Sequence, residues 1–252
     1  MTKRARNKQI KLWVEGARLR TLPLAVAPIA IGAGAAASVQ KFNLGMTLLA
    51  LAVAFFLQVG VNYANDYSDG IRGTDNQRVG PLRLTGSKSV RPAAVKYVAF
   101  AFFGLAALAG LAIVLLTQHW WFLAVGAAAI TAAWYYTGGK SPYGYAGLGE
   151  VSVFVFFGLV ATYGTAYIQI GSFSETAILG GSAAGLFASA VLMVNNIRDL
   201  DLDRHVGKRT LLPAPQITIS GRLGENESLL TAPEHPWAGV PLSLRIRVED
   251  DL

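Results

Sequence analysis

The sequence has no cysteine and few charges: Asp, Glu, Lys and Arg make up 15% of its 252 residues, against about a quarter in an average soluble domain. The first absence excludes disulfides, thiolate zinc sites and cysteine nucleophiles. The second excludes an ordinary water-facing surface. Histidine is scarce as well, and the spacing of His119, His205 and His235 defines no metal site. The formal charge of +7 would point to nucleic acid in a soluble protein. Here the basic residues adjoin apolar runs, so they are read as positive-inside bias, and no nucleic-acid partner is expected.

What the chain does have is apolar length. Hydrophobic residues make up 53% of it, and the mean hydropathy is +0.41. Apolar runs occupy Thr21–Val39, Leu44–Ala64, Ala93–Leu116, Trp120–Thr137, Leu148–Ile170 and Glu175–Asn196, each close to the length that crosses a hydrocarbon core. About six transmembrane helices are expected. Ala35-Ala36-Ala37 resembles a signal-peptide cleavage site, but Pro23 and Pro28 interrupt the apolar stretch before it and the basic region is long, so that run is read as a span. Residues 1–20 are basic, with Ile10, Trp13, Val14 and Ala17 at helical spacing, the pattern of a helix lying at the membrane interface. Trp120, Trp121, Trp134 and Tyr135 sit at run ends, as interfacial aromatics do.

Loop charge sets the orientation. Lys and Arg collect in the N-terminal segment, after the second run (Arg72 to Lys96), at Lys140 after the fourth, and after the sixth (Arg198 to Arg209), whereas the intervening loops hold Lys41 alone. All the clusters fall on one side when the N-terminus is cytoplasmic.

The second and sixth runs end on that same side in related acidic stretches. Asn65 aligned with Asn195 brings Asp69 onto Asp199, with a further carboxylate after each at Asp75 and Asp203. Helical spacing puts Asn62, Asp66 and Asp69 on one stripe, and Asn195, Asp199 and Asp203 on another if the helix continues. Carboxylates at a helix C-terminus oppose the macrodipole and one another, so they need cations, and ionisable groups at membrane depth are functional candidates. Oxygen ligands without His or Cys suit Mg²⁺, which takes one or two carboxylates plus phosphate oxygens. A metal-bridged diphosphate amid basic residues, with apolar helix faces for a hydrocarbon tail, fits ionisation of an allylic diphosphate. A transporter or channel is the rival reading of intramembrane acids and repeats, disfavoured because both motifs sit at the rim.

These motifs resemble those of the UbiA-type membrane prenyltransferases. The stretch from Asn65 to Asp75, then Arg78-Val79-Gly80-Pro81-Leu82-Arg83-Leu84-Thr85-Gly86-Ser87, is similar to the branch that prenylates dihydroxynaphthoate. So are Tyr136-Thr137-Gly138-Gly139-Lys140, Pro142-Tyr143-Gly144-Tyr145, Gly147-Leu148-Gly149-Glu150, the opening Ala17 to Pro23, and Asn196-Ile197-Arg198-Asp199 through Thr210. The resemblance implies an all-α polytopic transmembrane bundle in a bacterial plasma membrane, with a cytoplasmic active site. It implies transfer of a polyprenyl group from polyprenyl diphosphate to 1,4-dihydroxy-2-naphthoate with loss of the carboxylate, giving demethylmenaquinone. Asp66, Asp69, Asp199 and Asp203 are the expected catalytic residues, and Asn65, Asp66, Asp69, Asp75, Asn195, Asp199 and Asp203 the expected Mg²⁺ and diphosphate ligands. Gly73 stands where many relatives carry the last Asp of the first motif, and Asp75 is expected to substitute. Tyr136 and Lys140 match a Y-x-x-x-K element whose lysine reaches the diphosphate. Arg72, Arg78 and Arg198 are read equally as phosphate clamps or as positive-inside residues. Glu150 is read as a helix-N-terminal acid or as part of the site. A different aromatic acceptor is the alternative within the family.

The resemblance covers roughly residues 10–210 and implies about nine spans, each long enough for the bilayer. After Leu212 the sequence turns to Pro213, Pro215, Pro233, Pro236 and Pro241 with six acidic residues from Glu225 to Asp251. Composition sets apart a basic segment (1–20) and a tail (211–252) of the kind that stays unfolded, and the resemblance implies an incomplete prenyltransferase domain between them (21–210). A change of reading frame near codon 210 is the expected origin of that tail, and little turnover is expected of the chain as written.

Overall fold

The computed structural model describes residues 3–74 and 83–199. Asp75, Arg78, Asp203, the side chain of Arg198 and the tail 211–252 lie outside the described residues. The described secondary structure is helical: α1 (Lys3–Ala17), a 3₁₀ turn (Leu19–Thr21), α2 (Pro23–Ser38), α3 (Leu44–Arg72), α4 (Pro92–Thr117), α5 (Phe122–Tyr135), a second 3₁₀ turn (Tyr143–Tyr145), α6 (Gly149–Val153), a π-helical stretch (Phe154–Val160), α7 (Ala161–Ile170) and α8 (Glu175–Arg198).

Local chemistry sets these boundaries. Arg18 adopts φ 51° and stops α1, and Pro23 and Pro92 stand in the first turns of α2 and α4, where no amide hydrogen is missed. The Asn43 side chain accepts the Met46 amide at 3.0 Å to open α3. Ser174 accepts the Ala177 amide at 3.2 Å to open α8, with Glu175 in the first turn where the dipole favours an acid.

All six apolar runs form helices, but they do not all span alike. α3, α4, the continuous Gly149–Ile170 helix and α8 are each long and apolar enough to cross a membrane, and α1 with α2 forms a fifth candidate bent by 46°. α5 has 14 residues, about 21 Å of helix against a core of about 30 Å. The protein is a multi-pass membrane protein with four to five full spans among the described residues. Its outward surface agrees: Leu108, Leu179, Leu186, Val194 and Phe187, the last 76% exposed, would be costly in water and are at ease in lipid.

Lipid is as apolar as these side chains, so helix association relies on close packing. α3 lies along α4, α2 along α7, and the π-helical stretch along α8. At the last contact a Cβ on Gly158 would fall 2.5 Å from Gly185 Cα and 2.6 Å from the Gly181 carbonyl oxygen, so no larger residue fits. α1 and the 3₁₀ turn after it are fastened to α3 by polar bonds: Tyr63 donates to the Trp13 carbonyl (2.7 Å), Asn62 to the Ala17 carbonyl (2.9 Å) and Gln58 to the Thr21 hydroxyl (2.8 Å). Ile10 and Val14 stay exposed, consistent with an interfacial helix.

Candidate active site

The C-terminal third of α3 is polar yet buried. Asn62, Asp66, Ser68 and Asp69 are all shielded, Asp66 completely, so the stripe expected from helical spacing faces protein. The helix ends as the left-handed Gly73 (φ 79°) donates its amide back to the Asp69 and Gly70 carbonyls. Left-handed backbone favours glycine over aspartate, which accounts for Gly73 at the position where an Asp was looked for.

Asp66 turns inward to the loop before α4. Its two carboxylate oxygens accept the backbone amides of Leu84 (2.7 Å) and Thr85 (2.8 Å). Asp69 accepts the Tyr145 hydroxyl at 2.7 Å and has the Arg83 guanidinium at 4.0 Å. Burial, and then the negative charge of Asp69, push the Tyr145 phenol above its ordinary value, so it stays a proton donor. Asn65 accepts the Thr137 hydroxyl at 2.8 Å. Arg72 donates to the Thr137 and Gly139 carbonyls and lies 5.3 Å from the centre of the Tyr145 ring. Its fork is engaged with the loop after α5, tying that loop to the end of α3.

That loop also leads to the second motif. Tyr143–Tyr145 touches α3 through Tyr145, and a few residues later the buried Glu150 accepts the Asn196 amide at 2.8 Å while its carbonyl accepts the Ser189 hydroxyl at 3.0 Å. α8 ends at Arg198, with Asp199 as the capping residue. Both acidic motifs are therefore held at the same end of the bundle, bridged by residues 136–150. Tyr136 is half-buried, edge-on to Tyr143 at 5.6 Å. Lys140 is exposed on the same loop.

Among the described residues no three His, Asp or Glu side chains converge on one point. A magnesium ion commonly uses only one or two protein carboxylates, with water and phosphate oxygens completing its octahedron. The donor set of Asn65, Asp69, Asn195 and Asp199, all hard oxygens or amides, fits that requirement. The Thr85 hydroxyl, next to the Asp66-bound amide of the same residue, is buried without a hydrogen-bond partner among the described residues.

Sequence reasoning missed Arg83, Tyr145 and Thr137 as site residues. Each lies within a stretch that carried the family resemblance, which was the available signal, but their partners are 14 to 76 residues away.

The family description "UbiA prenyltransferase family" matches residues 25–230. The chain belongs to the UbiA prenyltransferase family. The match runs beyond residue 210, into the segment set apart by composition. The chain is 50% identical over 213 residues to a 1,4-dihydroxy-2-naphthoate octaprenyltransferase of Mycobacterium tuberculosis, covering 84% of this chain and 70% of that one. It is 41% identical over 206 residues to an Escherichia coli protein of the same name, covering 79% and 67%. Its fold is similar to the solved structure of a UbiA homolog from Archaeoglobus fulgidus bound to GPP and Mg²⁺, with a TM-score of 0.60 at 16% identity over 79% of this chain and 67% of that one. The all-α membrane bundle expected from the sequence is thus a UbiA-type fold and the chain a prenyltransferase-family protein.

Proposed function

We propose that this protein transfers a polyprenyl group from polyprenyl diphosphate to 1,4-dihydroxy-2-naphthoate at the cytoplasmic face of a bacterial plasma membrane, using Mg²⁺. The observation that carries the reading is 41–50% identity to proteins named for that reaction; that Asn65 and Asp69 of the first motif and Asn196 beside the second are all hydrogen-bonded to residues 137–150 supports it. In the transfer the allylic carbon–oxygen bond breaks and its electron pair leaves with pyrophosphate. A ring carbon of the naphthoate supplies the pair for the new carbon–carbon bond, and the carboxylate departs as carbon dioxide, giving demethylmenaquinone in its quinol form.

The side chains divide the work. Asn65, Asp69, Asn195 and Asp199 would hold the metal and, through it, the diphosphate; magnesium supplies positive charge where the leaving group becomes negative. Asp75, Asp203, Arg78 and Arg198 are assigned to the same task by family resemblance. Tyr136 and Lys140, on the loop joining the two motifs, are assigned to the leaving group by the same resemblance, Lys140 as a flexible point charge. Asp66 and Arg72 act by positioning: Asp66 fixes the 83–85 loop, and Arg72 fixes the loop after α5. The apolar helix faces would take the isoprenoid tail.

Membranes containing this chain, supplied with labelled polyprenyl diphosphate, test the reading. Whatever turnover the chain supports, label is expected on dihydroxynaphthoate with Mg²⁺ and not after chelation by EDTA. Label transferred only to 4-hydroxybenzoate or homogentisate would move the protein to another acceptor branch.

A further inference from the structure

Asp69 is a buried carboxylate at the C-terminal end of α3, where the helix dipole disfavours an anion, and it needs positive charge nearby. Arg83, 4.0 Å away, supplies it. Both residues are only 8% exposed. Arg83 is not a wandering surface arginine. The two residues after it are fastened by their amides to Asp66. The Thr85 side chain packs so tightly on α3 that a Cβ on Gly70 would lie 2.4 Å from it. A charged fork is thereby built into the floor of the first acidic motif.

We infer that Arg83 is a phosphate-binding residue held in reserve, neutralising Asp69 while no metal is bound and passing to a diphosphate oxygen when a divalent cation takes that carboxylate. This rests on the reading of the site as one for a metal-bound diphosphate. Arginine suits the exchange because its guanidinium keeps its charge when buried and presents donors that match phosphate in pairs. The loop pinned by Asp66 keeps the guanidinium in the site after its carboxylate partner has been taken by metal. The Tyr145 hydroxyl on Asp69 (2.7 Å) keeps that carboxylate oriented during the change.

The exchange has a consequence that a purely structural role lacks. Arg83 competes with metal for Asp69 but cooperates with metal in holding diphosphate. Removing it must therefore affect the two ligands in opposite directions. The test uses the full chain in detergent or nanodiscs, with Mn²⁺ binding followed by electron paramagnetic resonance and pyrophosphate binding in Mg²⁺ followed by calorimetry. Arg83→Gln is expected to bind Mn²⁺ alone at least as tightly as the wild type and to bind pyrophosphate about tenfold or more weakly, the scale of losing a buried charge partner. Arg83→Lys keeps the charge without the fork. It is expected to leave Mn²⁺ binding near wild type and to weaken pyrophosphate by a smaller factor. Wild-type pyrophosphate affinity in both variants overturns the inference alone. Parallel loss of both ligands in both variants overturns it too, because Arg83 would then be structural. A wild-type chain that binds no pyrophosphate overturns the functional reading and this inference with it.

Discussion

Replacing Asp66 by alanine removes an acceptor that serves two backbone amides at once. The Leu84 and Thr85 amides lie 2.7 and 2.8 Å from its oxygens, and Asp66 is wholly buried, so water cannot take over without opening the loop. A hydrogen bond to a charged group contributes about 1.5–3 kcal/mol. Losing two therefore costs about 3 kcal/mol at the low end, roughly a hundredfold in the local opening equilibrium. Hydrogen exchange read by mass spectrometry on peptides containing residues 83–85 reports that opening. Exchange of the Leu84 and Thr85 amides should accelerate by about two orders of magnitude, while amides in the middle of α4 hold their protection. Asp66→Asn should fall between, since one acceptor remains and its NH₂ group faces an amide. Unchanged exchange at Leu84 and Thr85 in Asp66→Ala would refute the clamp, and a general loss of protection across α3 and α4 would show that Asp66 supports the bundle and not the loop.

Other perturbations give equally definite outcomes. Tyr145→Phe removes a hydroxyl donor to Asp69 and should weaken Mg²⁺-dependent pyrophosphate binding several-fold, by about the 1.5–3 kcal/mol of a charged hydrogen bond at most. Because the folded phenol titrates above its ordinary value near 10, its contribution to stability is whole below pH 10 and is lost as pH rises beyond it. Thermal scans should accordingly show an alkaline decline in the wild type that is reduced in Tyr145→Phe, and no difference in pH dependence near neutrality. Glu150→Ala strands the Asn196 amide and should lower stability by about 1–3 kcal/mol, while Glu150→Gln, which retains an acceptor oxygen, should cost less in the same unfolding assay. Gly158→Ala should destabilise by about 1–3 kcal/mol through overpacking against α8, visible as a lower Tm in detergent without selective loss of metal binding.

Much of this molecule is legible in its sequence because the bilayer is a strict solvent. Run length is enough to place the six helical runs, and helical spacing identifies the buried stripe of Asn62, Asp66 and Asp69. Span status is less legible. α5 looks like a span as the Trp120–Thr137 run, yet its regular helix stops at Tyr135 and begins only at Phe122. The roles within the stripe are also hidden. Nothing in the spacing says that Asp66 spends its oxygens on backbone amides while Asp69 faces Arg83 and Tyr145, since those are contacts between distant segments. Arg72 illustrates the same limit: two readings of it were open, phosphate clamp or positive-inside residue, and the structure adds a third, a brace on the Thr137 and Gly139 carbonyls. Gly73 was a puzzle as a missing acid and becomes intelligible as a left-handed helix cap.

The central claim is that the ends of α3 and α8 form one metal–diphosphate site. Pyrophosphate binding in Mg²⁺, measured for the wild type, Asp69→Asn, Asp199→Asn and the double variant, tests it most directly. Each single variant is predicted to lose most of the Mg²⁺-dependent affinity, and the double variant to lose little more, because two ligands of one site act as a unit. Full affinity in either single variant, or strictly additive losses in the double, would contradict a shared site.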